Sequence, residues 1–162
     1  MTKESLQQAF KSATQLHAKS TMIVTICDDS GRYAMAATAV LQLTEEPPSM
    51  LLCVEKKASL YPFLKKGADF CINILSETQD NILELCVNGA QGEERFSMGD
   101  WRTSQFGIPY LADGQASIIC SSAECWEYTT HGVFVGIASE AYVNSDVSPL
   151  IYYRQGFTSL RA

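Results

Sequence analysis

Two periodicities divide the chain. From Thr2 to Ala18, Leu6, Ala9, Phe10, Ala13 and Leu16 recur at helical spacing among polar residues, which predicts an amphipathic N-terminal helix. From Met22 onward, short apolar runs bounded by turn residues take over. "MIVTICDDSGRYAMAATAV" reads as strand, turn, strand, reversed at Asp28-Asp29-Ser30-Gly31. The second strand continues until "TEEPPS" breaks it, because proline cannot donate to a ladder. "MLLCVE" is a third strand and "SLYPFLKKG" a short helix closed by Gly67. "DFCINILS" is a fourth strand, and "ETQDNILELCVNG" a helix ending near Gly89. Residues 90–114 form a long irregular stretch carrying Phe96, Trp101, Phe106 and Tyr110, and loops of that length usually serve function or a partner. Residues 115–144 read as two long strands joined near Thr129 and Thr130. "PLIYYRQGF" closes the chain as a strand or a docked tail.

The pattern therefore predicts six or seven strands and two or three helices, with no βαβ alternation. The expected fold is mainly β: an antiparallel barrel or sandwich with two or three peripheral helices, in one domain over residues 1–162. There is no GxGxxG and no P-loop, so a nucleotide would have to be held by something other than a Rossmann turn.

Composition narrows the function. A hydrophobic content of 46% and a charged content of 19% are those of an ordinary globular chain. A net charge of -6 without a basic block argues against nucleic acid or an anionic membrane as partner. The first 19 residues lack the apolar stretch of a signal peptide, and no run approaches the ~20 apolar residues of a membrane span. Six cysteines without a CxxC, several inside apolar strands, read as reduced thiols, and the expected location is the cytoplasm.

Candidate chemistry lies in a few places. The strand with Ala34, Ala36, Ala37, Thr38 and Ala39 has side chains short enough for a flat ring to lie on its backbone, or for a helix to pack closely against it. Lys56, Lys57 and Ser59 suit a phosphate, although Lys-Lys turns are also common on plain surfaces. His131, at the start of an apolar strand, is either a solvated strand end or a hydrogen-bond donor to a ligand. Arg95 and Phe96 either cap a site or anchor the long loop. No catalytic acid, base or nucleophile is assigned.

Together these pieces resemble the short-chain flavin reductase family, which has the FMN-binding split β-barrel fold. They are similar to the reductase component of two-component 4-hydroxyphenylacetate 3-monooxygenases. The likeness rests on "IVTI", "AMAATAVLQLTEEPP", "LLCVEKKAS", "GADFCINILSETQ", "EERFSMGDW", "IPYL", "THGVFVG" and "PLIYY", which occur in the family's order from Met22 to Leu160. The resemblance implies a homodimer of Greek-key barrels that binds FMN or FAD, takes NADH or NADPH as co-substrate, and passes hydride from nicotinamide to flavin. A partner flavin-dependent monooxygenase would use the reduced flavin.

It also implies residue roles. Met35, Ala36, Ala37 and Thr38 would lie under the flavin ring, and Leu41, Gln42 and Leu43 would meet its polar edge. Lys56, Lys57 and Ser59, helped by Arg95, would hold the phosphate. His131 would attend the nicotinamide, and Tyr152 to Arg154 would close that side. Three departures stand out. Ala34, Ala36, Thr38, Leu41 and Gln42 stand where the family's segment usually begins with glycine and carries Thr, Ser and a Thr-Ser pair, Glu55 stands where asparagine is usual, and Thr130 replaces an aspartate. These motivate the alternative of an FMN carrier or electron-transfer protein on the same fold. A relative of the pyridoxamine-phosphate oxidases, which share the barrel, fits "THGVFVG" and "PLIYY" less well.

Overall fold

The computed structural model describes residues 2–144 and 148–160, so the ends of the expected 1–162 domain and residues 145–147 lie outside the described residues. In chain order the elements are α1 (Lys3–Thr14), β1 (Lys19–Ser20), β2 (Met22–Asp28), β3 (Gly31–Ala37), β4 (Val40–Glu45), β5 (Pro48–Glu55), α2 (Tyr61–Lys65) and β6 (Phe70–Ile74). There follow α3 (Asp80–Val87), a 3-10 turn (Gly92–Phe96), β7 (Trp101–Thr103), β8 (Pro109–Leu111), β9 (Ala116–Tyr128), β10 (His131–Val143), β11 (Leu150–Tyr153) and β12 (Gly156–Ser159).

Seven strands make the main antiparallel sheet, in the order β3-β2-β6-β9-β10-β5-β4. Its two edge strands, β3 and β4, are consecutive in the chain and separated only by Thr38 and Ala39. A two-residue link can join the edges of a seven-stranded sheet only if the sheet rolls up on itself. The result is a split barrel, mainly β as the pattern predicted. Val24, Ile26, Leu52, Val54, Phe70 and Phe134 fill its interior. A second cluster on the outer face of β2 and β3, built on Ile23, Ala34, Ile82, Leu83 and Phe96, seats α3 and the 3-10 turn.

The sequence pattern runs through Thr38 and Ala39 as one strand, and the structure divides it there. Ala39 accepts a backbone hydrogen bond from Cys53 (2.9 Å), so the chain leaves β2 and starts along β5 at that point. The stretch 90–114 is less irregular than expected, since it holds the 3-10 turn and the β7–β8 ribbon. Buried Asn73 pins that ribbon: its Oδ1 accepts from Leu111 N (2.7 Å) and Ser117 Oγ (2.9 Å), and its Nδ2 donates to Ile23 O (2.9 Å). The C-terminal tail is a hairpin, β11–β12, paired with β1 in a small three-stranded sheet. Helix α1 is amphipathic as predicted but buries none of its residues, leaving Leu6 and Phe10 exposed.

Candidate functional site

The split between β3 and β4 opens as a cleft of about 420 Å³, within the ~300–1,000 Å³ range of small-molecule sites. Met35, Ala36, Ala37, Thr38 and Ala39 form its floor. Glu55, Ala58 and Ser59 stand at one end, where β5 runs into its turn, and Cys86 and Val87 of α3 form a wall beside Arg95. Strand alternation explains the choice of faces. Leu52 and Val54 point into the barrel, so Cys53 and Glu55 point outward over the floor. A neighbouring space of about 340 Å³ shares Ala36, Ala37 and Thr38 and is bounded by Thr21, Tyr152 and Phe157. Thr21 is buried there, and its hydroxyl has no hydrogen-bond partner among the described residues.

Arg95 is held in place by the backbone. Its Nε donates to Ala90 O (2.6 Å) and its Nη1 to Ala34 O, which fastens the 3-10 turn to β3 and leaves the Nη2 edge without a protein partner among the described residues. Arg32 completes the docking by pairing with Glu93 and lying 4.3 Å over the ring of Phe96.

Of the residues singled out in the sequence, Met35, Ala36, Ala37, Thr38, Ser59 and Arg95 come together around this cleft. Tyr152 joins them through the neighbouring space. Leu41 lines a further opening beside Thr38. Gln42 and Leu43 lie exposed on β4, and Gln42 Nε2 donates to Glu45 (3.4 Å). His131 is exposed and its Nδ1 lies 2.9 Å from Thr130 Oγ1. It stands opposite Glu55 in the β10–β5 register, on the strand face that overlooks the cleft. The turn before it is strained, with Thr129 at φ 47, an unusual conformation for a β-branched residue. Arg154, at φ 49 in the β11–β12 turn, lies 5.3 Å over the Tyr153 ring.

Lysines 56 and 57 do not line the cleft. Lys56 follows Val54 onto the inner side of β5 and closes the barrel's end, its Nζ 2.6 Å from the Glu127 carboxylate. Lys65 (2.9 Å) and the Tyr61 hydroxyl (2.7 Å) bind the same carboxylate. The three donors, Lys56 foremost, hold the Glu127 carboxyl far below its ordinary value, at about 2. Lys57 is exposed. Glu55, noted in the sequence only as a departure, is the carboxylate the cleft contains. Burial pushes the Cys86 thiol up to about 11 and raises that of Cys53, which favours the thiol over the thiolate at both cleft cysteines.

A rolled antiparallel sheet with a ligand-sized split over a floor of small residues is the architecture of a flavin-binding split barrel. The chain belongs to the flavin reductase family: it matches the flavin reductase like domain over residues 14–161. It is 30% identical over 151 residues to the reductase component of an FADH(2)-dependent resorcinol hydroxylase from Rhizobium sp., covering 92% of this chain and 84% of that one. It is 30% identical over 138 residues to an FMN reductase (NADH) of Agrobacterium fabrum (85% and 79% covered). To the reductase component of 4-hydroxyphenylacetate 3-monooxygenase from Pseudomonas aeruginosa it is 28% identical over 160 residues (98% and 94% covered). A crystal structure described as a flavin reductase from Haemophilus somnus superposes with a TM-score of 0.90 at 26% identity, covering 94% of this chain and 98% of that one.

Proposed function

We infer that this protein is an NAD(P)H:flavin oxidoreductase whose flavin lies on Met35–Thr38. The observation that carries the reading is the open floor of Ala36, Ala37 and Thr38 in the barrel's split, with a hydroxyl and a guanidinium edge at its margin. These residues fit a flavin. The floor is flat and short-chained enough for ring contact, Ser59 and the Nη2 edge of Arg95 donate to a phosphate, and each charge-assisted bond contributes about 1.5–3 kcal/mol. A bound flavin supplies the two-electron acceptor for reduced nicotinamide. The chain's part is to hold and orient. Arg95 stiffens the floor through the carbonyls of Ala34 and Ala90, and His131 at the rim and Tyr152 beyond Thr38 bound the nicotinamide's approach.

Met35 to Thr38, Leu41, Ser59 and Arg95 are the flavin contacts in this reading. Gln42, Leu43, Lys57 and Arg154 reach the ligand only from a second copy or from a loop that closes. The protein acts as a homodimer that supplies reduced flavin to a monooxygenase, a role named for two of its relatives. The exposed Phe10, Leu43 and Tyr128 supply apolar surface for the dimer. Six unpaired cysteines support a reducing, cytoplasmic setting, and no helix of the described residues is long and apolar enough to cross a membrane. The test is a steady-state assay of NADH and NADPH oxidation with FMN, FAD and riboflavin each titrated. Flavin-dependent turnover saturating at about micromolar flavin is expected. Tight flavin binding without turnover in any pairing would instead make the protein a carrier.

A further inference from the structure

We propose that Glu55 sets the flavin preference of this protein. Its carboxylate disfavours the phosphomonoester of FMN and shifts selection towards flavins with less charge at that position, the phosphodiester of FAD or uncharged riboflavin. The proposal rests on the flavin reading above, which puts the phosphate at Ser59 and the Nη2 edge of Arg95.

Arg95 and Glu55 are the charged side chains among the residues that line the cleft. They oppose each other in sign, so the cleft offers a phosphate no net positive charge. The lysines that follow Glu55 in the chain do not correct this. Lys56 turns to the inner side of the strand, where the Glu127 carboxylate holds its ammonium at 2.6 Å. Lys57 is exposed and does not line the cleft. None of the ion pairs among the described residues includes Glu55. Its charge therefore acts on a ligand beside Ser59, and a repulsive group of this kind discriminates between ligands that differ in charge.

The backbone keeps the carboxylate in place. Glu55 ends β5 and points outward over the cleft floor with Cys53. Thr130 O accepts from Lys56 N (2.9 Å), and Glu55 O accepts from Ala58 N (2.9 Å), which ties this end of β5 to the β9–β10 turn and to its own turn. Neither bond uses the Glu55 side chain, so an amide of the same shape removes the charge and leaves the turn as it is.

The charge on the ligand decides the size of the effect. A phosphomonoester carries about two negative charges at neutral pH, a phosphodiester carries one, and riboflavin has none at that position. Glu55 is exposed, so water's dielectric applies. Across roughly 6 Å of water each like charge lowers affinity about threefold, and two lower it about tenfold.

The test measures Kd for FMN, FAD and riboflavin by calorimetry in wild type, Glu55→Gln and Glu55→Asp, at low and high salt. Glu55→Gln should tighten FMN about tenfold and FAD about threefold and leave riboflavin unchanged, with the gain on FMN shrinking as salt rises. Glu55→Asp keeps the charge and should keep the wild-type ratio of FMN to riboflavin affinity. An unchanged ratio in Glu55→Gln, or equal shifts for all three flavins, would overturn the proposal and leave the flavin site standing. Failure of wild type to bind any flavin would refute the flavin reading and the proposal with it. Binding needs no turnover, so a preference altered by Glu55→Gln in a protein that oxidises no NAD(P)H would uphold the proposal and refute only the reductase activity.

Discussion

Small residues do opposite jobs at two places in this sheet. In β10, Gly132 and Gly136 face the barrel interior. An added Cβ would lie 2.7 Å from Tyr61 Cε2 at the first and 2.5 Å from Phe70 Cζ at the second. There the missing side chain is room that an aromatic ring already fills. In β3 the half-buried Ala36 packs at the margin of the outer-face cluster and also borders the open space of the cleft. Ala34, two residues earlier on the same face, is fully covered by α3 and the 3-10 turn. Shortness alone therefore does not distinguish packing from a binding floor. What lies above the residue does.

Substitutions can sharpen that contrast. Gly136→Ala should have the largest effect on the fold, a loss of about 3 kcal/mol from overpacking against Phe70 and Cys120, read as a lower urea midpoint at unchanged slope. A midpoint within about 0.5 kcal/mol of wild type would show that the ring has space to move. At the cleft margin, Ser59→Ala should weaken FMN about tenfold and leave riboflavin unaffected, because only FMN carries the phosphate. Equal losses for both would remove Ser59 from the phosphate's surroundings. Lys56→Ala should leave the FMN-to-riboflavin affinity ratio unchanged, since its ammonium closes the barrel's end on Glu127. A selective loss of FMN would return Lys56 to the site.

The smallest effect concerns pH. Glu127 is held at about 2 in the fold against an ordinary 4.5, so its contribution is full above the higher value and disappears as pH falls towards the lower. In Glu127→Gln the melting temperature should decline less steeply below about pH 4.5 than in wild type. An identical decline would mean that the exposed carboxylate adds nothing to stability.

Much of this arrangement was legible in the chain. The turn at Asp28–Gly31, the proline break before β5 and the glycine stops at Gly67 and Gly89 mark the elements where the structure has them. The division of β3 from β4 was not legible, because "AMAATAVLQL" keeps an unbroken strand character across Thr38 and Ala39. The change of ladder partner there is a long-range event with no local signal. The three-residue strands β7 and β8 are too short for any period to register. The placement of Lys56 did have a signal. Strand alternation from Leu52 and Val54 puts Lys56 inward and Glu55 outward, the reverse of what a phosphate site made of consecutive lysines requires.

The most direct test of the central claim, that the room above Ala36 belongs to a flavin, is an FMN titration of wild type and Ala36→Leu followed by fluorescence quenching, with urea unfolding of both. The account predicts a loss of flavin affinity of more than about tenfold in the variant, with stability changed by less than about 1 kcal/mol. Unaltered FMN binding in a folded Ala36→Leu protein would contradict it and place the flavin elsewhere on the barrel.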